Sequence, residues 1–258
     1  MPVDLICLDA DDTLWHNMRH FEAAETALLE LLAPFAEAGI ARERLEAVEI
    51  RNLGLYGYGA KGFTLSMIEA ALELGGERLP LSAVGDILAA GRALLAHPVE
   101  LLPGIEDTLD ALACRGRLVL VTKGDLLHQE AKLAASGLGS RFHAVEIVSD
   151  KKDETFRRLF ERHAVAPERA LMAGDSMRSD VLPALAAGAW AAFVPHDRPW
   201  SHEHAEPPLE HPRFRTLQRL AELPDWIDAI GSAGLERSAS AMPLSASAPP
   251  ATASVDQR

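Results

Sequence analysis

Cysteine is nearly absent from this 258-residue chain: there are two, Cys7 and Cys114, and neither belongs to a CxxC pair. That argues against a disulfide framework and a zinc knuckle, and fits a reducing compartment. Basic residues are also scarce, 25 Lys and Arg against 38 Asp and Glu, leaving a formal net charge of −13. A protein whose main partner is long nucleic acid or an anionic membrane surface carries the opposite bias. No apolar run approaches the roughly 20 residues of a membrane span. The first such run, residues 3–8, carries Asp4 and is too short for a secretory leader. The expectation is a soluble, cytoplasmic protein without a membrane partner. An apolar fraction of 48% supplies a sizeable core and excludes disorder along the whole chain.

What the chain does have is a rhythm. Apolar runs of strand type stand at Val3–Leu8, Arg117–Val121, Ala144–Val148, Ala170–Ala173 and Trp190–Val194. Helical patterns at Leu126–Ser136, Glu154–His163 and Ser179–Ala187 separate the later ones. This alternation predicts βαβ units and an α/β fold with a doubly wound parallel sheet. Ligands in such sheets bind beyond the carboxyl ends of the strands. Residues 16–98 break the rhythm with helical periodicity throughout, and read as an all-helical cap inserted into a core made of 1–15 and 99–230. From Gly231 to Arg258 the chain turns to Ala, Ser and Pro without apolar periodicity, which predicts a disordered tail. "GYGAKG" at 57–62 matches GxGxxG, but a helical pattern precedes it where a dinucleotide site needs a strand, so it reads as a loop between cap helices.

The chemistry begins where the first strand ends. "DADDT" puts three carboxylates into positions 9–12, a density that costs stability through repulsion unless a cation or acid/base chemistry uses it. Alternation places Asp9 and Asp11 on one side, a hard oxygen site suited to Mg²⁺. A calcium loop of EF-hand type fails, because Thr13 and Leu14 stand where an acid or amide and a glycine are required. "GDSMRSD" brings Asp175, Ser176 and Asp180 to the end of another strand. "VTKGD" offers the Thr122 hydroxyl and the backbone N–H groups of Lys123 and Gly124 to an anion, with Asp125 as a helix N-cap. "SDKK" adds Lys151 and Lys152. His202 and His204 have metal-like spacing but no third ligand, and read as surface residues.

These four pieces, in this order and each at a strand end, resemble the motifs of the haloacid dehalogenase superfamily of hydrolases, over residues 1–15 and about 99–195. The resemblance implies Asp9 as a nucleophile that becomes an aspartyl phosphate, and Asp11 as general acid and then base. It implies Mg²⁺ held by Asp9, the backbone carbonyl of Asp11, and Asp175. Thr122 would hold a phosphoryl oxygen, and Asp180 would orient a lysine for which Lys151 fits better than Lys152. Asp12 departs from the glycine commonest at its position. Members that cleave carbon–halogen bonds lack a carboxylic acid at the position of Asp11, so the expectation is a phosphatase acting on a small phosphorylated metabolite. A phosphomutase, a dehalogenase-like hydrolase and a non-catalytic binder of a phosphometabolite are the alternatives. The cap loop would set specificity, with Arg51, Asn52, Tyr56, Tyr58 and Lys61 as candidates. Trp15, His16 and Asn17 would line the cleft or form the hinge into the cap.

Overall fold

The computed structural model of the chain describes residues 3–198 and 200–240. Strand β1 (Leu5–Leu8) is followed by four helices, α1 (Met18–Leu32), α2 (Ala38–Tyr56), α3 (Ala60–Gly75) and α4 (Leu81–Leu95). The chain then alternates: α5 (Ile105–Ala113), β2 (Arg117–Lys123), α6 (Leu126–Ser136), β3 (Ala144–Val148), α7 (Asp153–Arg162), β4 (Ala170–Gly174), α8 (Leu182–Ala186), β5 (Trp190–Phe193), β6 (Phe214–Thr216) and α9 (Leu223–Ser240). All six strands are parallel, in the order β3-β2-β1-β4-β5-β6. The predicted α/β doubly wound sheet is thus present. β6 was not foreseen, since three residues are too few to show a period; pairing of Phe214 with Ala191 forms it.

β1 is the centre of the sheet and is buried on both faces. Ile6 and Leu8 pack into one apolar layer with Leu109, Leu120 and Trp226. Leu5 and Cys7 point the other way, against Phe156, Phe160 and Met172. Burial holds the Cys7 thiol far above its ordinary pKa, so it is an inert core residue. The helical insert has a third core of its own, including Leu28, Leu45, Val48, Phe63, Met67 and Ile87. No helix among the described residues is long and apolar enough to cross a membrane.

Two chain segments tie the insert to the sheet, and they lie side by side. Trp15 bridges Leu101 in antiparallel fashion, the Leu102 N–H donates to the Leu14 carbonyl at 2.9 Å, and the His16 N–H donates to the Glu100 carbonyl at 3.0 Å. Residues 231–240, expected to open the tail, instead continue α9 through Ser240. Leu235, Glu236 and Arg237 are good helix formers, which supports extension even without apolar periodicity. Residues 241–258 of the expected tail lie outside the described residues.

Candidate active site

The register of the sheet decides which side chains meet. Leu8 lies opposite Leu120 on β2 and Ala173 on β4, so Asp9, Thr122 and Asp175 all emerge at the same edge. The Asp9 N–H donates to the Ala173 carbonyl at 2.9 Å, which carries the strand pairing into the acidic loop. Lys151, delivered beyond β3, is 3% exposed and its ammonium donates to Asp9 and, at 2.7 Å, to Asp180. Lys152 points outward, 72% exposed, and pairs with Asp150 at 3.0 Å. Asp180 is fully buried, and its other oxygen accepts from the Ser176 N–H at 3.0 Å. It fits only because residue 174 is glycine: a Cβ there would stand 2.2 Å from that oxygen.

Asp9, Asp175 and Asp180 each bring an oxygen within 4.8 Å of the others. Three carboxylates, two buried and one half-buried, against one ammonium leave a surplus of negative charge. Burial, reinforced by Asp180 and Asp11 against Lys151, pushes Asp9 up to about 7. Burial beside Asp9 and Asp180 drives Asp175 well above the carboxylate range. Burial opposes the charge of Lys151 too, but Asp180 and Asp9 outweigh it and keep the ammonium charged. A hard divalent cation matches this donor set, with Asp175, which does not pair with the lysine, and the second oxygen of Asp9 available to it. Thr13 joins them: the Asp175 N–H donates to its hydroxyl at 3.1 Å.

The Asp11 carboxylate, the expected general acid, is held by α6 and by Trp15. Lys132 donates to both its oxygens at 2.6 and 2.7 Å, Gln129 to Oδ2 at 3.0 Å, and the Trp15 indole to Oδ1 at 2.7 Å. Burial disfavours its charge, yet Lys132, Gln129 and Trp15 together hold the carboxyl below its ordinary range. Thr122 is 2% exposed and accepts from Gln129 at 3.0 Å. The Lys123 side chain leans over the Tyr58 ring, 3.8 Å from its centroid, and pairs with Glu203 and, at 2.7 Å, with Ser179. Gly124, at φ +136°, sits against the Gln129 amide and leaves room for it. Ser176 donates to Glu203 and caps the following turn by accepting from the Ser179 N–H at 2.9 Å.

Gln129, Lys132 and Glu203 belong to no motif legible in the sequence. Gln129 and Lys132 stand three apart on α6, so they share a face. A lysine only 4% exposed announces itself in no local pattern. Thr13 carried a signal, as the last residue of the first motif.

Asp12 has a left-handed backbone, φ +59°, where glycine is freer. Its carboxylate accepts from the Asn17 N–H at 2.8 Å and the Met18 N–H at 2.9 Å, so it caps α1 from five residues back. Replacing it should separate the two effects. Asp12→Gly is expected to be near neutral in urea unfolding, because relief of the positive φ and loss of the cap are each about 1 kcal/mol. Asp12→Ala loses the cap and keeps the backbone cost, a net loss of about 1 kcal/mol. Equal stabilities for the two variants would refute the capping role.

A cavity of about 710 Å³ lies between the helical insert and the strand ends, with Asp9, Asp11, Thr122 and Lys151 on its floor. Asn52, Tyr56 and Tyr58 line its wall, although the Asn52 amide is occupied by Ser66 at 3.2 Å. Arg51, expected in the cleft, faces outward and pairs with Glu69 and Glu73, because α2 turns it off the cavity stripe. Lys61 reaches across to Asp125 at 2.9 Å and ties the insert to the core. Asp125 also caps α6, accepting from the His128 N–H at 3.1 Å. His202 packs on Trp200 and gathers no metal-ligand group among the described residues, nor does His204; Asp12, His16 and His196 draw together instead.

The haloacid dehalogenase-like hydrolase family matches residues 3–188. Among solved structures, a haloacid dehalogenase-like family hydrolase from Xanthomonas campestris is 37% identical, with a TM-score of 0.81 over 91% of this chain and 94% of that one. A HAD hydrolase from Bacillus subtilis bound to magnesium is 21% identical, TM-score 0.62, over 88% of this chain and 100% of its own. L-2-haloacid dehalogenase from Xanthobacter autotrophicus, with chloropropionic acid covalently bound, is 18% identical, TM-score 0.60, over 88% and 98%. The last two likenesses concern the fold alone. Among curated proteins none matches the sequence. With a strand that ends in the acidic loop at the centre of a parallel sheet, a helical insert over it and this agreement along most of its length, the chain belongs to the haloacid dehalogenase-like hydrolases.

Proposed function

We propose that this hydrolase cleaves phosphomonoesters of a small metabolite with the help of Mg²⁺. The observation that carries this reading is Asp11, a second carboxylate in the same cavity as Asp9. A halide leaves without a proton, whereas an alkoxide leaving phosphorus needs one. An oxygen of Asp9 attacks phosphorus, the ester P–O bond breaks, and Asp11 delivers a proton to the departing oxygen. Asp11 starts ionised under the hold of Lys132; the incoming phosphoryl dianion opposes that charge and favours proton uptake before the step. Water then gives its proton to Asp11 and attacks phosphorus, releasing phosphate and restoring Asp9. Lys151 and Thr122 supply donors to the phosphoryl oxygens, and Asp180 keeps Lys151 in place.

Asp9 and Asp175 would hold Mg²⁺, which offsets repulsion between the nucleophile and the phosphate dianion. The magnesium bound by the Bacillus subtilis relative is consistent with this. Phosphate release from an aryl phosphate is expected with Mg²⁺ and lost with chelator, and no chloride should be released from 2-chloropropionate. Halide release without phosphate release would reverse the assignment.

A further inference from the structure

The cavity is chemically divided. Its floor at the strand ends carries Lys132 and Lys151, while the far wall is acidic, with Glu22 and Glu25 from α1 and Glu46 and Glu49 from α2. On α2 the lining residues Arg42, Leu45, Glu46, Glu49, Asn52 and Leu53 recur at helical spacing, so one continuous stripe of the helix faces the space. Most acids on that side have a cationic partner. Glu25 pairs with Arg42 at 2.6 Å and Glu22 with Arg198. Glu203 pairs with Lys123 and Asp125 with Lys61.

Two do not. Glu46 accepts only from the Ser201 hydroxyl, and Glu49 has no hydrogen-bond or ion-pair partner among the described residues. Burial beside Glu25 and Glu46 pushes Glu49 up to about 7, the mark of a carboxylate whose compensating charge is missing. Aromatic rings complete the surroundings: Phe21, Tyr56, Tyr58, Phe63 and Trp200 line the same space, and ring faces attract organic cations.

We infer that the alcohol portion of the substrate carries a cationic nitrogen, an ammonium group seated against Glu46 and Glu49 while the phosphoryl group meets Asp9. This rests on the phosphomonoester reading and narrows it to aminoalkyl phosphates. A neutral or anionic alcohol would leave the glutamate pair unbalanced or repel it, whereas a zwitterion matches both ends of the cavity. The acidic wall is then a filter against the many anionic phosphate esters that the floor alone would accept.

The test is a ladder of ω-aminoalkyl phosphates with two to six methylenes, each set against the n-alkyl phosphate of equal heavy-atom count, with a trimethylammonio series beside them and an aryl phosphate as reference. At the best length the amine is expected to exceed its alkyl counterpart by about tenfold in kcat/KM, mostly through KM, the effect of one partly buried ion pair. The trimethylammonio arm shows whether the pocket prefers a primary or a quaternary cation. Glu49→Gln, and separately Glu46→Gln, should erase most of the amine-to-alkyl ratio. Turnover of alkyl and aryl esters with no amine preference at any length overturns this inference and leaves the phosphatase reading standing. No turnover of any ester removes both.

Discussion

Asp9→Asn is expected to abolish turnover, by about 10⁴-fold or more, and to leave the fold intact or slightly more stable. The amide is the same size but has no nucleophilic oxygen to form the acyl phosphate. Stability should survive because the wild-type carboxylate is itself a burden. It is 6% exposed, and burial with its acidic neighbours pushes its pKa up to about 7. Lys151 retains its 2.7 Å bond to Asp180 when the Asp9 charge is gone. Phosphate release and thermal unfolding, measured on the same preparation, check both halves. Near-normal rates would move the nucleophile to another carboxylate; a lost fold would make Asp9 structural.

Lys151→Ala should behave in the opposite way and lose both activity and stability. The side chain is 2% exposed and joins two strand-end carboxylates, so truncation strands Asp9, Asp180 and Asp175 in a buried site without an ammonium. Breaking a buried pair from one side costs about 3–5 kcal/mol. Lys152→Ala, at an exposed pair, should cost under about 1 kcal/mol and little activity. Denaturant midpoints and turnover of the two variants, side by side, decide the matter. A Lys152 variant that is inactive while the Lys151 variant works would place the wrong lysine in the site.

Legibility in the sequence followed the range of the interactions. A parallel sheet could be read from apolar runs of strand length, and its edge from the polar residues that end each run. The carboxylates of the floor were visible for that reason. Gln129 and Lys132 were hidden because their role rests on contacts with Asp11 at 118 and 121 residues' separation. Lys123 was readable only for its backbone N–H; the place of its side chain, over Tyr58 and against Ser179, depends on Glu203, 80 residues on. Arg51 was a candidate because it preceded the cap loop; rotation of one residue about α2 separates it from Asn52 and hands it to Glu69 and Glu73. β6 depends on pairing with β5, and α9 extends past Ile230, where the apolar pattern ends.

The placement of the insert between the central strand and its neighbour also governs the order in which the molecule assembles. β1 is made before its partners β2 and β4, which begin only at Arg117 and Ala170. The intervening four helices find their apolar partners within their own segment, from Ala24 to Leu94, and local contacts of this kind form fast. β1 must wait, fully apolar and unpaired, for long loops to close. The final clasp is Lys151 on Asp9, 142 residues apart, and Thr13 on Asp175, 162 apart. Catalytic competence should therefore be the last property to appear on refolding, lagging helix formation, and a chain interrupted before β4 should hold a folded helical unit but no hydrolytic centre.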